Sequence, residues 1–356
     1  MSERSRCITV KKIRGEKALI LANKLGLTNR ELKIKHDTKH LYIPLIRQPE
    51  PSEMEKLKSQ LPDFELVTKV FAQKEPQPKT LHQVLEDQLP PDLLDSLPRA
   101  LDVIGDIAVI DIPRELEAYG SIIGEALLKT HKNVRTVLAK VGAVTGTYRL
   151  REFEVIAGEH RTATVHKEHG CQYHVDVATA YFSPRLSSEH NRIASLVQKG
   201  ETVVDLFAGV GPFAVLIAKK HADAKVYAVD INPEAIEFLK LNIRLNRVDN
   251  RVIPIQGNAR QTVEKQLLGV ADRVIMNLPE KAIEFVDAAC KAVKTSGGTV
   301  HYYAFIRRPD SIEDAQQRFS EAVEKAGRKI DVYLSAKTVR ETAPYEWQIV
   351  LDAKII

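Results

Sequence analysis

The sequence predicts an α/β protein whose C-terminal part is a doubly wound, mostly parallel sheet, preceded by two smaller α/β (α+β) domains. From residue 200 onward, apolar runs of strand length alternate with segments of helical spacing, which is typical of parallel sheets covered by helices. A polar stretch at 74–79 contains two prolines and separates the first 73 residues from the rest. We therefore predict domains at 1–73, 80–190 and 191–356, with a linker at 74–79.

The third domain begins with a largely apolar strand at 202–207, interrupted by Asp205, and a glycine-containing turn leads into a helix at 213–221. A second helix is predicted at 233–245. Further strands are predicted at 225–229, 252–256, 273–276, 299–305 and 347–355. In such a sheet, ligands bind outside the carboxyl ends of the strands.

The first two domains contain shorter elements. In the first, strand patterns at 7–11, 40–46 and 64–71 accompany helical spacing at 15–25 and 51–60. In the second, an apolar stretch at 101–112 is predicted to turn at Gly105-Asp106. Helical spacing follows at 116–128 and 188–198, with strands at 134–140, 148–157, 161–165 and 171–177.

The composition excludes several classes of protein. The 356 residues are 44% hydrophobic, with 17 glycines and 17 prolines, which is unlike a disordered or collagen-like chain. Apolar runs fall short of a membrane span, and the first residues lack the apolar core of a signal peptide. The three cysteines lie far apart, which argues against a disulfide scaffold or a zinc module. We therefore expect a cytoplasmic protein without membrane association.

The net charge of +5 is small, but it is unevenly distributed. Residues 1–75 carry 16 basic and 10 acidic side chains, whereas residues 80–118 carry 2 basic and 9 acidic ones. A basic first domain is compatible with binding to a polyanion such as RNA. It is equally compatible with chance variation between solvated surfaces, so the charge alone leaves both interpretations open.

The sharpest local motif lies after the first strand of the third domain. Gly209 and Gly211 stand at the predicted strand-to-helix turn, where a backbone must approach a ligand closely. Asp230 follows about 20 residues later, at the position that holds a ribose diol in dinucleotide-binding proteins. An NAD-dependent enzyme is therefore one interpretation of this motif.

Two residues favour a different cofactor. Pro212 removes an amide donor at the helix start, where a pyrophosphate would bind. Asp205 is expected to point into the mouth of the turn, where it repels phosphate and attracts a cation. A ligand with an adenine, a ribose and a positively charged aminoacyl tail fits better, and S-adenosylmethionine is such a ligand.

A second motif, Asn277-Leu-Pro279, follows the predicted strand at 273–276. Its rigid amide would lie over the cofactor, where its oxygen can accept and its nitrogen can donate a hydrogen bond to a base. Base-methylating enzymes with this type of sheet carry a related Asn/Asp-Pro-Pro-aromatic turn. The motif therefore points to a nucleic-acid base as the methyl acceptor.

Taken together, the motifs closely resemble those of the archaeal and eukaryotic tRNA (guanine-N1-)-methyltransferases, which act on guanosine 37 beside the anticodon. The resemblance covers nearly the whole chain, including a first domain of the size that this family uses to contact the tRNA body. It is carried by the segments 157–162, 181–185, 205–213, 229–233, 277–279 and 301–303.

The resemblance implies a Rossmann-like class I methyltransferase domain and a set of site residues. It implies Glu189 as general base, Arg149 as an assisting cation and Asn277 as the residue that holds the base. Tyr181, Arg185 and Pro279 correspond to substrate-site positions. The implied cofactor-binding residues are Asp205, Phe207, Gly209, Gly211, Asp230, Ile231, Asn258 and Asn277.

The implied chemistry is consistent with these residue types. Guanine N1 carries a proton, so a carboxylate such as Glu189 must remove it before methylation. Negative charge then develops on the neighbouring oxygen, which a guanidinium such as Arg149 can stabilise. Alignment of the reactants suffices for methyl transfer from a sulfonium, and we expect no metal requirement.

Two positions depart from the family pattern. Asn258 stands where relatives often carry Asp near the adenine, and we expect it to accept a hydrogen bond from the adenine amine. Glu280 stands where relatives often carry Lys.

Four alternatives were considered, and three of them remain open. The first is an aminocarboxypropyl transferase of wyosine synthesis, and a related one is additional methylation of a wyosine intermediate. We reject a pyrimidine carbon-5 methyltransferase, because it would need a nucleophilic cysteine, whereas Cys290 lies in a helical pattern typical of a buried residue. A tRNA-binding protein without catalysis predicts no cofactor affinity, and an NAD dehydrogenase predicts NAD affinity. We expect a monomer that binds tRNA.

Overall fold

The computed structural model describes residues 2–74, 80–98 and 100–356. All but the first residue of the predicted linker at 74–79 lies outside the described residues. The chain divides into two compact units, Met1–Lys79 and Thr80–Ile356. Each unit is described separately below.

The first unit is a four-stranded antiparallel sheet in the order β2-β3-β1-β4, with two helices. Its core is formed by apolar side chains of β1, β3 and both helices, including Ile8, Ala18 and Leu57. The predicted strands and helices of this domain are confirmed, and β2 is additional. The elements are β1 (Ser2–Lys11), α1 (Gly15–Lys24), β2 (Lys35–His36), β3 (His40–Pro44), α2 (Pro51–Gln60) and β4 (Glu65–Ala72).

The second unit begins with a smaller sheet of order β5-β6-β7-β8, in which β6 and β7 are parallel. The predicted turn at Gly105-Asp106 is confirmed, because β5 and β6 form a hairpin around it and Gly105 has a positive φ of 58°. The elements are α3 (Leu81–Leu85), α4 (Pro91–Leu94), β5 (Leu101–Ile104), β6 (Ile107–Ile110), α5 (Gly120–Thr130), β7 (Thr136–Thr145) and β8 (Leu150–Gly158).

A separate hairpin of β9 (Ala163–Glu168) and β10 (Cys171–Asp176) connects this sheet to α6 (Ser187–Leu196). Cys171 and Tyr173 of β10 are buried in the same core as Phe213, which belongs to the larger sheet's helices. Val175 of the same strand is buried with Ile107 and Leu138 of the smaller sheet, so β10 contributes to both cores. The division after residue 190 stays a prediction.

The larger sheet has seven strands in the order β13-β12-β11-β14-β15-β17-β16. The first five strands in this order are parallel, and β17 and β16 complete the sheet in antiparallel pairing. The elements are β11 (Thr202–Asp205), α7 (Pro212–Lys220), β12 (Lys225–Asp230), α8 (Pro233–Leu245), β13 (Val252–Gln256), α9 (Ala259–Gln266), β14 (Arg273–Met276), α10 (Val286–Ala292), β15 (Gly298–Arg307), α11 (Ile312–Lys325), β16 (Ile330–Ala343) and β17 (Glu346–Ile355).

Helices cover both faces of this sheet. Residues of α6, α7 and α8 form one core with it, and residues of α9, α10 and α11 form the other. This arrangement confirms the predicted doubly wound, mostly parallel sheet. The 14-residue strand β16 and the helix α11 are additional to the predicted elements.

Two further findings concern the helices and the cysteines. None of the described helices is long and apolar enough to cross a membrane. Cys7, Cys171 and Cys290 are buried and form no disulfide.

Candidate active site

A cavity of about 440 Å³ lies at the carboxyl ends of β11, β12 and β14. A volume of this size accommodates a cofactor-sized ligand. The structure brings nine of the predicted site residues to its wall: Arg149, Tyr181, Phe207, Gly209, Asp230, Ile231, Asn258, Asn277 and Pro279. The other four predicted residues, Arg185, Glu189, Asp205 and Gly211, do not line it.

The glycine turn after β11 joins the cavity to the sheet. Gly209 has a positive φ of 54° and donates its backbone N–H to Oδ2 of Asp230 at 2.7 Å. Gly211 has a φ of 91°, and a Cβ there would lie 2.4 Å from Leu239 Cδ1 of α8. Gly209 thus shapes the cavity wall, whereas Gly211 permits the close packing of the turn against α8.

Two carboxylates lie behind this turn. Asp230 accepts backbone N–H groups from Gly209 and Asn232, and burial raises its pKa despite these hydrogen bonds. Asp205 is completely buried, and its Oδ2 has no hydrogen-bond partner among the described residues. Burial, with a smaller contribution from the charge of Asp230, raises the pKa of Asp205 to about 7. Asp205 does not line the cavity, and its predicted role toward a cationic ligand stays a prediction.

Asn258 lines the cavity but uses its oxygen locally. Its Oδ1 caps α9 by accepting the backbone N–H of Arg260 at 3.1 Å and of Gln261 at 3.4 Å. This oxygen is therefore partly engaged, and the expectation that it accepts from an adenine amine stays a prediction. The side-chain nitrogen is the group of Asn258 that remains to donate toward a ligand.

Asn277 follows β14 directly and is held by a side chain from the far part of the sheet. Gln348 of β17 donates from Nε2 to Oδ1 of Asn277 at 3.2 Å. Arg340 of β16 donates from Nε to Oε1 of Gln348 at 2.8 Å, and from Nη1 to Oγ of Ser183 at 3.1 Å. The predicted base-holding residue is thus oriented by two strands that follow it in the chain.

Arg149 lies in the turn between β7 and β8 with a positive φ of 58°. Its Nη2 donates to Oε1 of Glu280 at 3.0 Å, and its guanidinium lies 5.3 Å from the ring centroid of Tyr181. The buried Nε of Arg149 has no hydrogen-bond partner among the residues that the structure describes. Glu280, the departure from the family pattern, therefore holds the cation that the resemblance assigns to catalysis.

Glu189 is buried on α6, one helical turn after Leu186, which lines the cavity. Both oxygens accept from Nε of Arg192, at 3.0 and 2.9 Å, and Oε1 also accepts the hydroxyl of Tyr303 at 2.7 Å. Burial by itself would raise the pKa of Glu189, but the hydrogen bonds from Arg192 and Tyr303 outweigh it and the pKa is lowered. Glu189 is therefore a carboxylate at neutral pH.

A network of polar and charged side chains continues from Arg192 into the protein interior. Arg192 contacts Asp352 at 2.5 Å, and Oδ1 of Asp352 lies 2.6 Å from Nδ1 of His301. Nη1 of Arg273 lies 2.7 Å from Nε2 of His301. Because a guanidinium can only donate, Nε2 must be the acceptor, so His301 is neutral and donates from Nδ1 to Asp352. Burial, followed by the nearby Arg273 and Arg192, opposes the pull of Asp352 and lowers the pKa of His301, consistent with this assignment.

Arg185 lies at a neighbouring, smaller cavity of about 290 Å³ and forms a two-point ion pair with Asp102 of β5. This cavity is rich in cations, contributed by Lys140, Arg149, Arg151, Arg185 and Arg340. Since Arg149 and Tyr181 line both cavities, the two are adjacent.

Several residues of the site did not emerge from the sequence analysis, namely Arg192, Gln348, Arg340 and Asp352. One signal was available: Gln348 and Asp352 interrupt the apolar run of the last strand, and buried polar residues in such a run need partners. Their partners Asn277 and Arg192 lie 71 and 160 residues away along the chain, so they could not be paired from the sequence.

The sequence matches three protein-family models. A TRM5/TYW2 methyltransferase domain matches residues 164–333, a TYW2 N-terminal domain matches 81–162, and a tRNA methyltransferase 5 N-terminal domain matches 7–53. The first and second of these matches meet near residue 163, at the start of β9.

Comparison with individual proteins gives the same family. The tRNA (guanine(37)-N(1))-methyltransferase Trm5b of Pyrococcus abyssi is 40% identical over 331 residues, which cover 93% of each chain. The tRNA 4-demethylwyosine(37)-methyltransferase Taw21 of Saccharolobus solfataricus is 33% identical over 78% of this chain and 99% of its own. A solved structure described as the complex of aTrm5 and tRNALeu superposes with a TM-score of 0.70 at 36% identity, covering 98% of this chain and 99% of that one.

Proposed function

The chain belongs to the archaeal and eukaryotic-type family of tRNA (guanine-37-N1)-methyltransferases, and we propose that it transfers a methyl group from S-adenosylmethionine to N1 of guanosine 37 in tRNA. One structural observation carries the proposal. A single cavity joins the glycine turn and Asp230 to Arg149 and Asn277. A cofactor and a base therefore have a common site in which to meet.

The cofactor side of the cavity suits S-adenosylmethionine, which supplies the methyl group when bound. Asp230 can accept from the ribose hydroxyls, and Phe207 and Ile231 offer apolar surface for the adenine. The nitrogen of Asn258 can donate to an adenine ring nitrogen. The unpartnered Oδ2 of Asp205 lies outside the cavity wall in this structure, and a cationic tail bound nearby would favour its ionised form.

On the base side, Glu189 takes the proton from guanine N1 as general base. Its lowered pKa supports this role, because the group must be ionised at neutral pH to accept a proton. Since Arg192 and Tyr303 occupy its oxygens, the role requires Glu189 to exchange a contact with Arg192 for the N1–H when the base enters. Nζ of Lys337, on a half-exposed side chain, lies 3.7 Å from Oε2 and helps to keep Glu189 ionised.

Arg149 stabilises the charge that develops on O6 when N1 loses its proton. The guanidinium already lies at the cavity wall, where exclusion of water strengthens its effect. To reach the oxygen it must share or release Glu280. Asn277 holds the base, Tyr181 and Pro279 line the same space, and Arg185 lies in the neighbouring cationic cavity, which suits the phosphates beside nucleotide 37.

The test of this function is to map the modified position. Transcripts with guanosine or adenosine at position 37 are incubated with the enzyme and labelled cofactor, and the product nucleoside and the spent cofactor are identified. We expect N1-methylguanosine and S-adenosylhomocysteine from the guanosine transcript alone. Methylthioadenosine as the spent cofactor would instead show aminocarboxypropyl transfer.

A second activity is favoured by one observation, the similarity to a tRNA 4-demethylwyosine(37)-methyltransferase over 78% of this chain. We propose methylation of a wyosine intermediate as a candidate additional activity. Incubation with tRNA that carries 4-demethylwyosine at position 37 tests it directly, with the guanosine transcript as the positive control.

We propose that the first unit contacts the tRNA body through its positive charge. It contains its own core, and 16 of the first 75 residues are basic. tRNA affinity should therefore fall with ionic strength, and the fall should be less steep for a chain that lacks residues 1–79. Equal salt dependence of the two proteins would assign this unit another role.

We further propose that the enzyme acts as a monomer in the cytoplasm. The cavity is complete within one chain, and the three cysteines are unpaired, as expected in a reducing compartment. Light scattering at micromolar concentration, with and without tRNA, tests the oligomeric state.

A further inference from the structure

Gln348 is a buried amide at the cavity wall that the chemistry described above does not use. It is 1% exposed and lies on β17, directly opposite Arg340 in the ladder with β16. A buried amide must find partners for both its oxygen and its nitrogen, so its contacts reveal its orientation.

The orientation follows from the chemistry of arginine. A guanidinium carries donors only, so the atom of Gln348 that lies 2.8 Å from Arg340 Nε must be the oxygen. The nitrogen of Gln348 therefore faces Asn277. Since that nitrogen is itself only a donor, the atom of Asn277 at 3.2 Å must be Oδ1.

These contacts decide which atom of the Asn277 amide group remains available to the base. Its oxygen is turned toward Gln348, and its Nδ2 has no hydrogen-bond partner among the residues that the structure describes. Asn277 lines the cavity, so the free donor is available to a ligand there. Arg340 itself is held in place by Ser183 at 3.1 Å.

Resting on the proposed function, we propose that Gln348 is a positioning residue that, fixed by Arg340, turns Asn277 so that Nδ2 donates to O6 of the target guanine. Guanine presents an acceptor at O6, whereas adenine presents the donor N6 amine at the same place. A donor at Asn277 therefore favours guanine and opposes adenine. The same hydrogen bond strengthens when N1 loses its proton and charge moves to O6.

The exchange Gln348→Glu tests the orientation with almost no change of shape. The introduced carboxylate still accepts from Arg340, but it offers Asn277 an acceptor instead of a donor. Asn277 then turns its nitrogen toward position 348 and its oxygen toward the base. We expect kcat for the guanosine-37 transcript to fall about 100-fold, the lower end of the range for loss of one oxyanion donor, with cofactor affinity unchanged.

A transcript with inosine at position 37 identifies the atom of the base involved. Inosine keeps N1–H and O6 but lacks the 2-amino group. If Asn277 donates to O6, Gln348→Glu lowers kcat by the same factor for inosine and guanosine. A loss that disappears with inosine would show that Asn277 contacts the 2-amino group, and it would overturn the proposal.

Two further variants keep the test decisive. Gln266→Glu, at an exposed position near the end of α9, controls for the added charge and should leave kcat unchanged. Arg340→Met, at a half-buried position, removes the group that fixes Gln348 and should lower kcat about three- to tenfold. If Gln348→Glu does not fold, a wild-type kcat in Arg340→Met overturns the proposal by itself.

The outcome also separates this proposal from the proposed function. A wild-type enzyme that forms no N1-methylguanosine contradicts the function. A wild-type enzyme that forms it, with a Gln348→Glu variant of equal kcat, contradicts only the positioning role.

Discussion

The two sides of the cavity are built from contacts of very different sequence separation. On the cofactor side, Gly209 and Asp230 are 21 residues apart, and Asn258 caps a helix that begins with the next residue. On the base side, Tyr303 contacts Glu189 over 114 residues, and Arg192 contacts Asp352 over 160. The cofactor side is therefore a product of consecutive turns, whereas the base side depends on the order of distant strands.

The two sides also differ in how their buried carboxylates are satisfied. Asp205, on the cofactor side, has one unpartnered oxygen and a pKa raised to about 7, first through burial. Burial of Asp352, on the base side, is outweighed by His301 and Arg192, which lower its pKa to about 2. The buried carboxylate on the cofactor side thus has an oxygen without a hydrogen-bond partner, whereas the one on the base side is paired with a histidine and an arginine.

The largest expected effect concerns catalysis on the base side. Glu189→Gln removes the proposed general base but keeps the size of the side chain, so the single-turnover rate should fall about 10²- to 10⁴-fold. Cofactor affinity, measured by calorimetry, should stay within about twofold, because Glu189 does not line the cavity. Equal loss of cofactor affinity would mean that the two sides are not separable.

The next largest effect concerns stability on the cofactor side. The folded-state pKa of Asp205 is raised above its ordinary value, so its stabilising contribution is present below about pH 4 and is lost as the pH rises toward 7. Asp205→Asn should therefore raise the unfolding free energy of the cofactor-free protein at pH 8 by up to roughly 4 kcal/mol. Urea unfolding at pH 5 and 8 measures the difference, and a destabilised variant at pH 8 would contradict it.

The base side should show the opposite pH dependence. Asp352 has a lowered folded-state pKa of about 2, so its contribution is present above about pH 4 and is lost as the pH falls toward 2. The loss amounts to about 2 kcal/mol for the wild-type protein. Asp352→Asn should be less stable at neutral pH and show a flatter decline between pH 5 and 3 by urea unfolding. An unchanged decline would assign the acid sensitivity to other groups.

A smaller effect is expected for cofactor binding. Asp230→Asn keeps the shape but removes the charge that accepts from Gly209 and faces the cavity. We expect about a tenfold weaker affinity for S-adenosylmethionine, with a single-turnover rate at saturating cofactor near that of the wild type. A large loss of rate at saturation would place Asp230 in the chemical step.

The smallest effect is expected for Glu280, which is half exposed and pairs with Arg149 at the cavity wall. Exposed pairs of this kind contribute about 0–1 kcal/mol, so Glu280→Gln should change kcat less than about fivefold. It is also the matched control for Glu189→Gln, because it removes a carboxylate that does line the cavity. A severe loss with Glu280→Gln and a mild one with Glu189→Gln would transfer the base role to Glu280.

The sequence predicted the strands and turns of the cofactor side better than the elements of the base side. Apolar periodicity located β11 to β15 and the helices α7 and α8, since each is a local pattern of strand or helical spacing. It did not predict β16, whose positions are all exposed or half-buried and which carries polar side chains throughout. Arg340 and Lys337, which lie on that strand, were consequently absent from the predicted site.

Within the site, the residues of the turns were predicted at the cavity wall and nine of them lie there. Asp205 and Gly211 belong to the same motif, but a sequence motif does not say which side chains the core encloses. Gly211 serves the packing against Leu239, and Asp205 is enclosed beneath the turn. The motif therefore located the site, but it did not determine what each of its residues contacts.

The sequence by itself determined the sheet, the glycine turn and the class of reaction, because these depend on local periodicity and on motifs within short segments. Only the tertiary structure decided the environment of Glu189 and the orientation of Asn277. The physical reason is that each depends on a side chain from a distant segment: Glu189 on Tyr303, 114 residues away, and Asn277 on Gln348, 71 residues away. Arg192 and Arg340 lie close in sequence to Glu189 and Gln348, but strand order and burial decide where the protons and lone pairs of these groups point.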